Sequence, residues 1–437
     1  MTSTSGRPGR RRPGLAAAVA VATSAAMTLG ACGSDAAPRE EAAAPTTSRP
    51  ASDGAPAVAG GGTRTVSPYF FGMHTEQPFL QEWPTVRFKT VRVWGTYPDP
   101  TWRGTHTGPG QFDWTALDDY VENALAHGQD IVYVFGRVPA WASSEPGGAC
   151  GPDPDGSCYP PAVSAWQEYV TAVTDRYRGR IAYWELWNEP DAESFWRGSD
   201  EQMVRLAQIA YPIITAAGGT VLSPSPQGRA GPDWTRGYLE AGGAPYADVN
   251  AFHSYLYAAP ETLGGLVEDY RELYAEFGIE DRPLWDTEHS WGEPDSPFGG
   301  DPRSQAAWLA RFQLLSFDEG IERSIWYGWE HTGWGTLFDK ETQEITPAGI
   351  AYRQVHRWMV GATMKPCGHT GRTWTCRLSR PGGYRAVAAW SRRGQTWFRV
   401  PAGYDTYRTV TGRTLRVPED RRVRLGAAPY LFVDRKR

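Results

Sequence analysis

The chain has 437 residues and a formal net charge of −5 at pH 7. This length allows one large domain and one small one after export and linker segments are set aside. The charge pattern excludes a nucleic-acid-binding protein. No cluster of His, Asp and Glu has ligand spacing, so we expect no metal ion and no other cofactor.

The first 32 residues predict a signal peptide. A basic stretch from Arg7 to Arg12 precedes residues 15–27, which are almost entirely apolar and too few to span a bilayer. The sequence Leu-Gly-Ala-Cys at residues 29–32 then resembles a bacterial lipobox, in which cleavage leaves Cys32 as the acylated first residue. An ordinary secretory signal with an incidental cysteine is the alternative. We expect a lipoprotein on the outer face of the cytoplasmic membrane.

Residues 33–64 are mostly Ala, Pro, Gly, Ser and Thr with a few charges. Such a composition cannot bury enough apolar surface to order itself. We therefore expect a disordered linker between the anchor and the folded part.

The four remaining cysteines form two close pairs, Cys150 with Cys158 and Cys367 with Cys376. An even number at short spacings in an exported chain predicts two disulfides, each closing a local loop. A zinc site is the alternative, but neither pair has the spacing of two to four residues that such sites show.

From residue 66 to residue 360, short runs typical of strands alternate with longer helical patterns. Eight predicted strands, each followed by a helix or a gap of helical length, indicate an α/β fold, a (β/α)8 TIM barrel over residues 65–362. The predicted strands are 66–74, 90–95, 130–136, 181–188, 220–225, 249–255, 283–288 and 323–329. The clearest predicted helices are 114–127, 162–177, 201–216, 263–277, 303–319 and 347–359.

Residues 363–437 have a different texture, with short β-rich runs separated by Gly and Pro. They predict a small C-terminal antiparallel β-sandwich packed on the barrel. Residues 361–437 carry 17 Lys/Arg and 4 Asp/Glu, whereas residues 65–360 carry 20 Lys/Arg and 41 Asp/Glu. Mutual attraction between the two domains explains this asymmetry, and contact of the basic domain with an anionic wall polymer or lipid surface is the alternative.

Two glutamates stand where a barrel enzyme carries its chemistry, at the carboxyl ends of strands. The fourth predicted strand leads into Trp-Asn-Glu-Pro at residues 187–190, and the seventh ends at Glu288. Glycosidic cleavage needs one carboxyl group that donates a proton and one that attacks the anomeric carbon. We therefore expect Glu189 and Glu288 to form a catalytic pair.

The deeper carboxylates Glu185 and Asp286 are the rivals for these roles. Side chains two apart in a strand share a face, so Glu185, Trp187 and Glu189 are expected to point the same way. The deeper pair is expected to be structural. An arginine beside Glu288 is expected to keep it ionised, and a less charged environment to raise the pKa of Glu189.

Residues 187–190 are similar to the acid/base motif of clan A glycoside hydrolases, and the other strand ends match the same pattern. The sequences at residues 71–74, 113–114 and 138–142 most resemble family 39, the β-xylosidase and exopolysaccharide-hydrolase group. The resemblance implies a retaining enzyme with Glu189 as general acid/base and Glu288 as nucleophile. It implies that Arg92 hydrogen-bonds the nucleophile and that Asn188 binds the sugar 2-hydroxyl.

The same resemblance assigns His253 and Tyr255 to the sixth strand, with the tyrosine on the nucleophile, and Trp329 to the floor of the −1 subsite. The chain has 20 tryptophans, and aromatic faces stack on pyranose rings. Trp329, Trp141 and Trp94 are the best candidates for sugar contact, and His74 ends the first strand at the same mouth. A structural role for His74 and core packing of the tryptophans are the alternatives.

The expected substrate is an oligo- or polysaccharide of a cell wall or exopolysaccharide. A catalytically inactive carbohydrate-binding lipoprotein is a second hypothesis, although such barrels usually lose a carboxylate or the arginine. A transglycosylase using the same residues is a third.

Overall fold

The computed structural model describes residues 62–76, 82–151, 155–291, 301–330 and 335–434. All of them belong to one compact unit, Ala55–Arg437. The predicted signal peptide, Cys32 and the predicted linker as far as residue 61 lie outside the described residues. Within the described part, no helix is both long and apolar enough to cross a membrane.

Eight parallel strands form the predicted barrel. The strands of the first three-quarters of the chain are β1 Arg64–Thr65, β2 Phe71–His74, β3 Thr90–Val93, β4 His106–Gly108, β5 Gln111–Phe112, β6 Asp130–Val134, β7 Tyr183–Glu185, β8 Thr220–Leu222, β9 Asn250–His253, β10 Leu284–His289 and β11 Arg323–Trp326. The barrel strands follow the order β8-β7-β6-β3-β2-β11-β10-β9. A parallel bridge between Leu222 and Val249 joins its two ends.

Helices surround this sheet. They are α1 Trp102–Thr105, α2 Thr115–Ala126, α3 Val163–Arg176, α4 Asp200–Ala216, α5 Gly231–Glu240, α6 Leu263–Glu276, α7 Pro302–Asp318 and α8 Pro347–Met359. In α2 the buried residues recur at helical spacing, at Leu117, Tyr120, Val121 and Ala124, which directs one apolar stripe onto the barrel. Ser199 begins α4 with a capping box that it shares with Gln202, and this satisfies two backbone N–H groups at the helix start.

The inside of the barrel is packed rather than open. An apolar cluster that includes Val132, Leu222 and Ile325 fills it. Below this cluster, Arg323 at the start of β11 donates to Thr90 at 2.7 Å and to Tyr183 at 2.8 Å. The apolar cluster and Arg323 close the end of the barrel where the strands start. The polar groups at the strand ends therefore face the opposite mouth of the barrel.

The C-terminal strands form a separate antiparallel domain. They are β14 Thr363–Thr370, β15 Thr373–Arg380, β16 Tyr384–Ser391, β17 Thr396–Arg399, β18 Tyr404–Thr409, β19 Thr414–Arg416, β20 Arg422–Leu425 and β21 Tyr430–Asp434. Two shorter strands, β12 Phe338–Asp339 and β13 Glu344–Ile345, pair with each other before α8 and are not part of this domain. One seven-stranded sheet has the order β1-β14-β15-β16-β21-β18-β19, and β17 pairs with β20 in a second, two-stranded sheet. The fold class is therefore confirmed.

Most predicted strands are longer than the observed ones, and three differences have a clear physical reason or position. Arg64, which was assigned to the linker, lies in β1 and pairs with β14. The first barrel strand is shorter than predicted because Ser67 accepts a hydrogen bond from Tyr69 and begins a 3₁₀ turn over Pro68–Phe70. The fourth barrel strand, β7, ends at Glu185 instead of continuing to residue 188.

Both predicted disulfides are present. Cys150 and Cys158 have Cα atoms 5.5 Å apart, and Cys367 and Cys376 have Cα atoms 4.3 Å apart. The backbone N–H of Cys367 also donates to Asp318 at the end of α7, at 2.8 Å. The second disulfide therefore lies where the C-terminal sheet meets the barrel.

Candidate active site

The polar side chains at the barrel mouth come from different strands and meet around one arginine. Arg92, in β3, is completely buried. Its Nε donates to Glu185 at 3.0 Å, one Nη donates to Glu288 at 2.6 Å, and the other donates to Asn188 at 2.9 Å. The planar guanidinium therefore fixes three side chains of the site relative to one another.

Glu288 has both carboxylate oxygens held. Arg92 donates to one oxygen, and the Tyr255 hydroxyl donates to the other at 2.7 Å. These two contacts are the ones expected from the sequence for Arg92 and Tyr255. A carboxylate fixed in this way is oriented before any ligand arrives.

Glu189 lies in a turn that follows strand β7. The backbone of Glu189 has φ = +41°, in the left-handed region that is rare for a residue with a side chain. Its N–H donates to the Ser225 carbonyl at 3.0 Å, which holds this unusual conformation. Its carboxyl group lies 2.9 Å from Nδ1 of His253. Such local strain is found preferentially at functional sites.

The two glutamates have different affinities for a proton. Burial, followed by the negative charge of Glu288, raises the pKa of Glu189 well above its ordinary value. Burial also raises the pKa of Glu288, but Arg92 and the Tyr255 hydroxyl act in the opposite direction. Because these cationic and hydrogen-bonding partners favour the ionised form of Glu288, the shared proton belongs on Glu189.

His253 is a neutral hydrogen-bonding partner of the Glu189 carboxyl group. Burial and the charge of Arg92 hold the pKa of His253 well below its ordinary value. A neutral imidazole can hydrogen-bond the carboxyl group of Glu189 without stabilising its ionised form as a cation would.

The deeper carboxylates, Glu185 and Asp286, are enclosed and paired within the protein. Glu185 is completely buried, paired with Arg92 and contacted by the Ser225 hydroxyl. Asp286 is also completely buried and accepts hydrogen bonds from the backbone and the hydroxyl of Ser254. By contrast, Glu189 and Glu288 keep 7% and 6% of their surface exposed, so the outer pair is the one that meets solvent.

Glu189, His253 and Glu288 each offer one ligand atom, and these atoms lie within 4.8 Å of one another. The group fits a cation poorly, because Arg92 already donates to one Glu288 oxygen and Tyr255 to the other. A metal ion there would compete with a buried positive charge.

His74 lies beside Glu288. Its Nε2 is 3.2 Å from the Thr287 carbonyl and 4.0 Å from a Glu288 oxygen. Burial lowers the pKa of His74 well below its ordinary value, so the ring is neutral. The contact with the Thr287 backbone gives this histidine a structural role at the base of the site.

The expected aromatic platforms are less accessible than the sequence suggested. Trp329 keeps 2% of its surface exposed and stacks on Phe338, and Trp94 keeps 5%. Trp141 is half-buried, and its indole N–H donates to the His106 carbonyl at 2.8 Å. In this conformation Trp329 and Trp94 offer a sugar almost no surface, so their predicted contact with substrate is not supported.

Trp187, which was expected to point the same way as Glu185 and Glu189, packs against other residues instead. Trp187 donates its indole N–H to the Phe195 carbonyl at 3.0 Å and contacts Trp196. Its side chain therefore does not share the direction of Glu185, because the strand has ended before it.

Sequence reasoning missed Glu76 and Tyr327. The ring of Tyr327 packs edge-on against His74 at 4.8 Å, and its hydroxyl donates to Glu76 at 3.3 Å. Burial, then the charge of Glu330, raises the pKa of Glu76 to about 7. Glu76 follows the end of β2 and Tyr327 follows the end of β11, and these positions were the available signal that both residues lie near the site. Neither residue belongs to a recognisable motif.

Comparisons with known proteins agree with this geometry. Residues 163–352 match the family model described as glycosyl hydrolase catalytic core. A family 39 glycoside hydrolase from Bacteroides cellulosilyticus has 18% identity and a TM-score of 0.65, with 84% of this chain and 81% of that chain covered.

Two further solved structures have the same fold. A family 39 β-xylosidase from Caulobacter crescentus has 16% identity and a TM-score of 0.64, covering 85% of this chain and 97% of that one. A family 30 subfamily 8 xylanase from Clostridium acetobutylicum has 14% identity and a TM-score of 0.59, covering 86% and 97%. The chain thus has the barrel fold of these glycoside hydrolases, and residues 163–352 are similar to the glycosyl hydrolase catalytic core.

Proposed function

We propose that the chain is a retaining glycoside hydrolase, with Glu288 as nucleophile and Glu189 as general acid/base. The observation that carries the proposal is the contrast between the two outer carboxyl groups. Glu288 is held by Arg92 and Tyr255, whereas Glu189 is buried next to a neutral histidine. One group is suited to stay ionised and the other to hold a proton.

The two steps follow from these roles. A Glu288 oxygen attacks the anomeric carbon while the glycosidic C–O bond breaks, and Glu189 gives its proton to the leaving oxygen. The ionised Glu189 then takes a proton from water. That water attacks the anomeric carbon, breaks the ester to Glu288 and releases the sugar.

The spacing of the carboxyl groups supports retention of configuration. An oxygen of Glu189 and an oxygen of Glu288 lie within 4.8 Å of each other. Retaining enzymes have carboxyl groups about 5–5.5 Å apart, whereas inverting enzymes separate them by about 6.5–9.5 Å to fit a water molecule. This short separation of the two oxygens supports the proposal of a retaining arrangement.

The proposed setting is the outer face of the cytoplasmic membrane, with Cys32 lipidated and the substrate a cell-wall or exopolysaccharide glycan. The lipobox-like sequence at residues 29–32 supports the anchor. The disulfides Cys150–Cys158 and Cys367–Cys376 support an oxidising compartment. Because two similar structures are a β-xylosidase and a xylanase, aryl β-xylosides are the first substrates to test.

Proton NMR of the first product tests the mechanism. An aryl glycoside that is turned over should release sugar with the anomeric configuration of the substrate, before mutarotation sets in. Early product of the opposite configuration would exclude the retaining mechanism. Binding of wall glycan without turnover of any substrate would favour the inactive, carbohydrate-binding alternative.

A further inference from the structure

The two-stranded sheet of the C-terminal domain has an unusual outer face. Side chains of successive residues in a strand point to opposite sides, and here the exposed positions are Trp397, Arg399, Arg422 and Arg424. Trp397 is paired with Arg424, and Arg399 with Arg422, directly across the two strands. We refer to these four residues as the Trp–Arg face.

The opposite side of the same sheet holds the face in place. Val423 and Leu425 are buried, and Phe398 packs with them. They form an apolar cluster with Ala389 and Phe432 of the seven-stranded sheet. The Trp–Arg face therefore lies on a sheet anchored by a small core, not on a loose loop.

The positive charges on this face lack carboxylate partners. Arg399 and Arg422 are opposite each other in the ladder, and like charges at such positions destabilise a sheet. Among the described residues, the ion pairs of arginines in this domain are Arg385 with Asp434 and Arg421 with Asp405. Mutual attraction with the acidic barrel therefore does not account for the Trp–Arg face.

Trp397 is the one described tryptophan that is exposed, with 58% of its surface accessible. The guanidinium of Arg422 lies 5.0 Å from its ring centroid, a cation–π distance that holds the indole against the arginines. The indole therefore presents an apolar ring face beside the guanidinium groups of the same sheet.

We propose that the Trp–Arg face binds an acidic polysaccharide, a glycan with carboxylate groups on its sugar rings. Guanidinium groups pair with carboxylates through two parallel hydrogen bonds, and an indole packs on the apolar face of a pyranose ring. A single ligand would use both features only if it carried sugar rings and negative charges together. A bilayer is less well matched, because membrane-surface elements present a continuous apolar face instead of a single aromatic ring.

The test uses the full chain with Cys32→Ser, so that no acyl chain contributes, and with Glu288→Gln, so that turnover does not alter the ligand. Titration calorimetry at low salt measures binding to polygalacturonate, to neutral galactan and to poly-glutamate. We expect polygalacturonate to bind more tightly than either of the others. Because catalysis is not needed, failure of this test leaves the proposed hydrolase function untouched.

Two variants separate the contributions of the face. Trp397→Ala should weaken polygalacturonate binding about three- to tenfold, since it removes one aromatic contact. A triple variant with Arg399, Arg422 and Arg424 changed to Ser should weaken it at least about tenfold. The matched control changes the exposed Arg408, Arg413 and Arg416 to Ser, removing the same charge from another part of the domain.

The control should bind as the parent does, and all variants should remain folded, with the triple variant at least as thermally stable as the parent because it loses a like-charge pair. Equal loss in the control would mean that net charge, not this face, attracts the ligand, and would overturn the proposal. Poly-glutamate binding as tight as that of polygalacturonate would overturn the sugar contact. Binding to vesicles of anionic lipid, with none to polygalacturonate, would assign the face to a membrane instead.

Discussion

Replacing Glu189 by alanine tests the proposed acid/base most directly. The variant removes a carboxyl group whose hydrogen-bonding side-chain partner is the neutral His253, so it leaves no unpaired buried charge and the fold should persist. Glu288 keeps Arg92 and Tyr255. General acid catalysis contributes about 10²- to 10⁴-fold to a rate, or about 3–5 kcal/mol of the barrier. Activity on a substrate with a poor leaving group should fall by this factor.

The leaving group gives the diagnostic readout. A dinitrophenyl glycoside needs no protonation to depart, so its kcat/KM should stay close to that of the parent enzyme while breakdown of the glycosyl-enzyme slows. Azide needs no general base and should restore turnover, giving a glycosyl azide of retained configuration. Glu288→Gly, by comparison, should lose activity on every substrate, because nothing replaces the nucleophile.

Three outcomes would refute the assignment: equal losses on good and poor leaving groups, an azide product of inverted configuration, or substantial activity in Glu288→Gly. Asp191→Asn is the matched control, because Asp191 is a nearby carboxylate that accepts from the Gln227 N–H at 3.0 Å. It should keep the leaving-group dependence of the parent. Since the charge of Asp191 contributes to the raised pKa of Glu189, the basic limb of the pH profile should move slightly to lower pH.

Three other groups give independent tests. Tyr255→Phe removes a hydrogen bond that favours the ionised form of Glu288, so the pKa of Glu288 should rise and the acid limb of kcat/KM should move to higher pH. The pKa of Glu76 is about 7 in the folded protein and about 4.3 in the unfolded chain. The fold should therefore lose stability, and its melting temperature should fall, as the pH rises from about 4.3 to about 7. Glu76→Gln should flatten this fall. Changing Cys150 and Cys158 to Ser opens a loop with a sequence separation of 8; unfolding free energy should fall by about 2–3 kcal/mol, measured by denaturant titration.

Matched controls exist for two of these tests. Tyr177→Phe also removes a hydroxyl that donates to a carboxylate, Asp118, at 2.9 Å, but in the helical layer, and should leave the pH profile unchanged. Glu122→Gln changes an exposed glutamate and should leave the fall of melting temperature with pH unchanged. An unmoved acid limb in Tyr255→Phe, or identical behaviour of Glu76→Gln and Glu122→Gln, would contradict the reasoning.

The barrel could be predicted because its strands and helices have strong, repeated hydrophobic periods. Helix α5 was missed because it begins with Gly231 and Pro232 and contains Gly237, which favour a turn. Its tertiary contacts, through the buried Tyr238 and Leu239, outweigh that local preference. The hairpin of β14 and β15 was missed because most of β14 is exposed and has no apolar alternation.

The site was predictable in its members but not in its geometry. Strand alternation placed Glu189 in line with Glu185, whereas the strand ends at Glu185 and Glu189 points into the site through a backbone with positive φ. A conformation of this kind depends on a long-range contact, here with the Ser225 carbonyl, which sequence spacing does not encode. The number of tryptophans was likewise a poor guide, because burial of an aromatic ring is decided by packing.

Arg92 links the two protonation states of the site. Its charge favours ionised Glu288 through a direct hydrogen bond, and the same charge lowers the pKa of His253, which is the partner of Glu189. If His253 were a cation, it would stabilise ionised Glu189 and remove the difference between the two glutamates. The same guanidinium also acts directly against the raised pKa of Glu189, which burial and the negative charge of Glu288 maintain. Glu185 balances the charge of Arg92 from the side away from solvent.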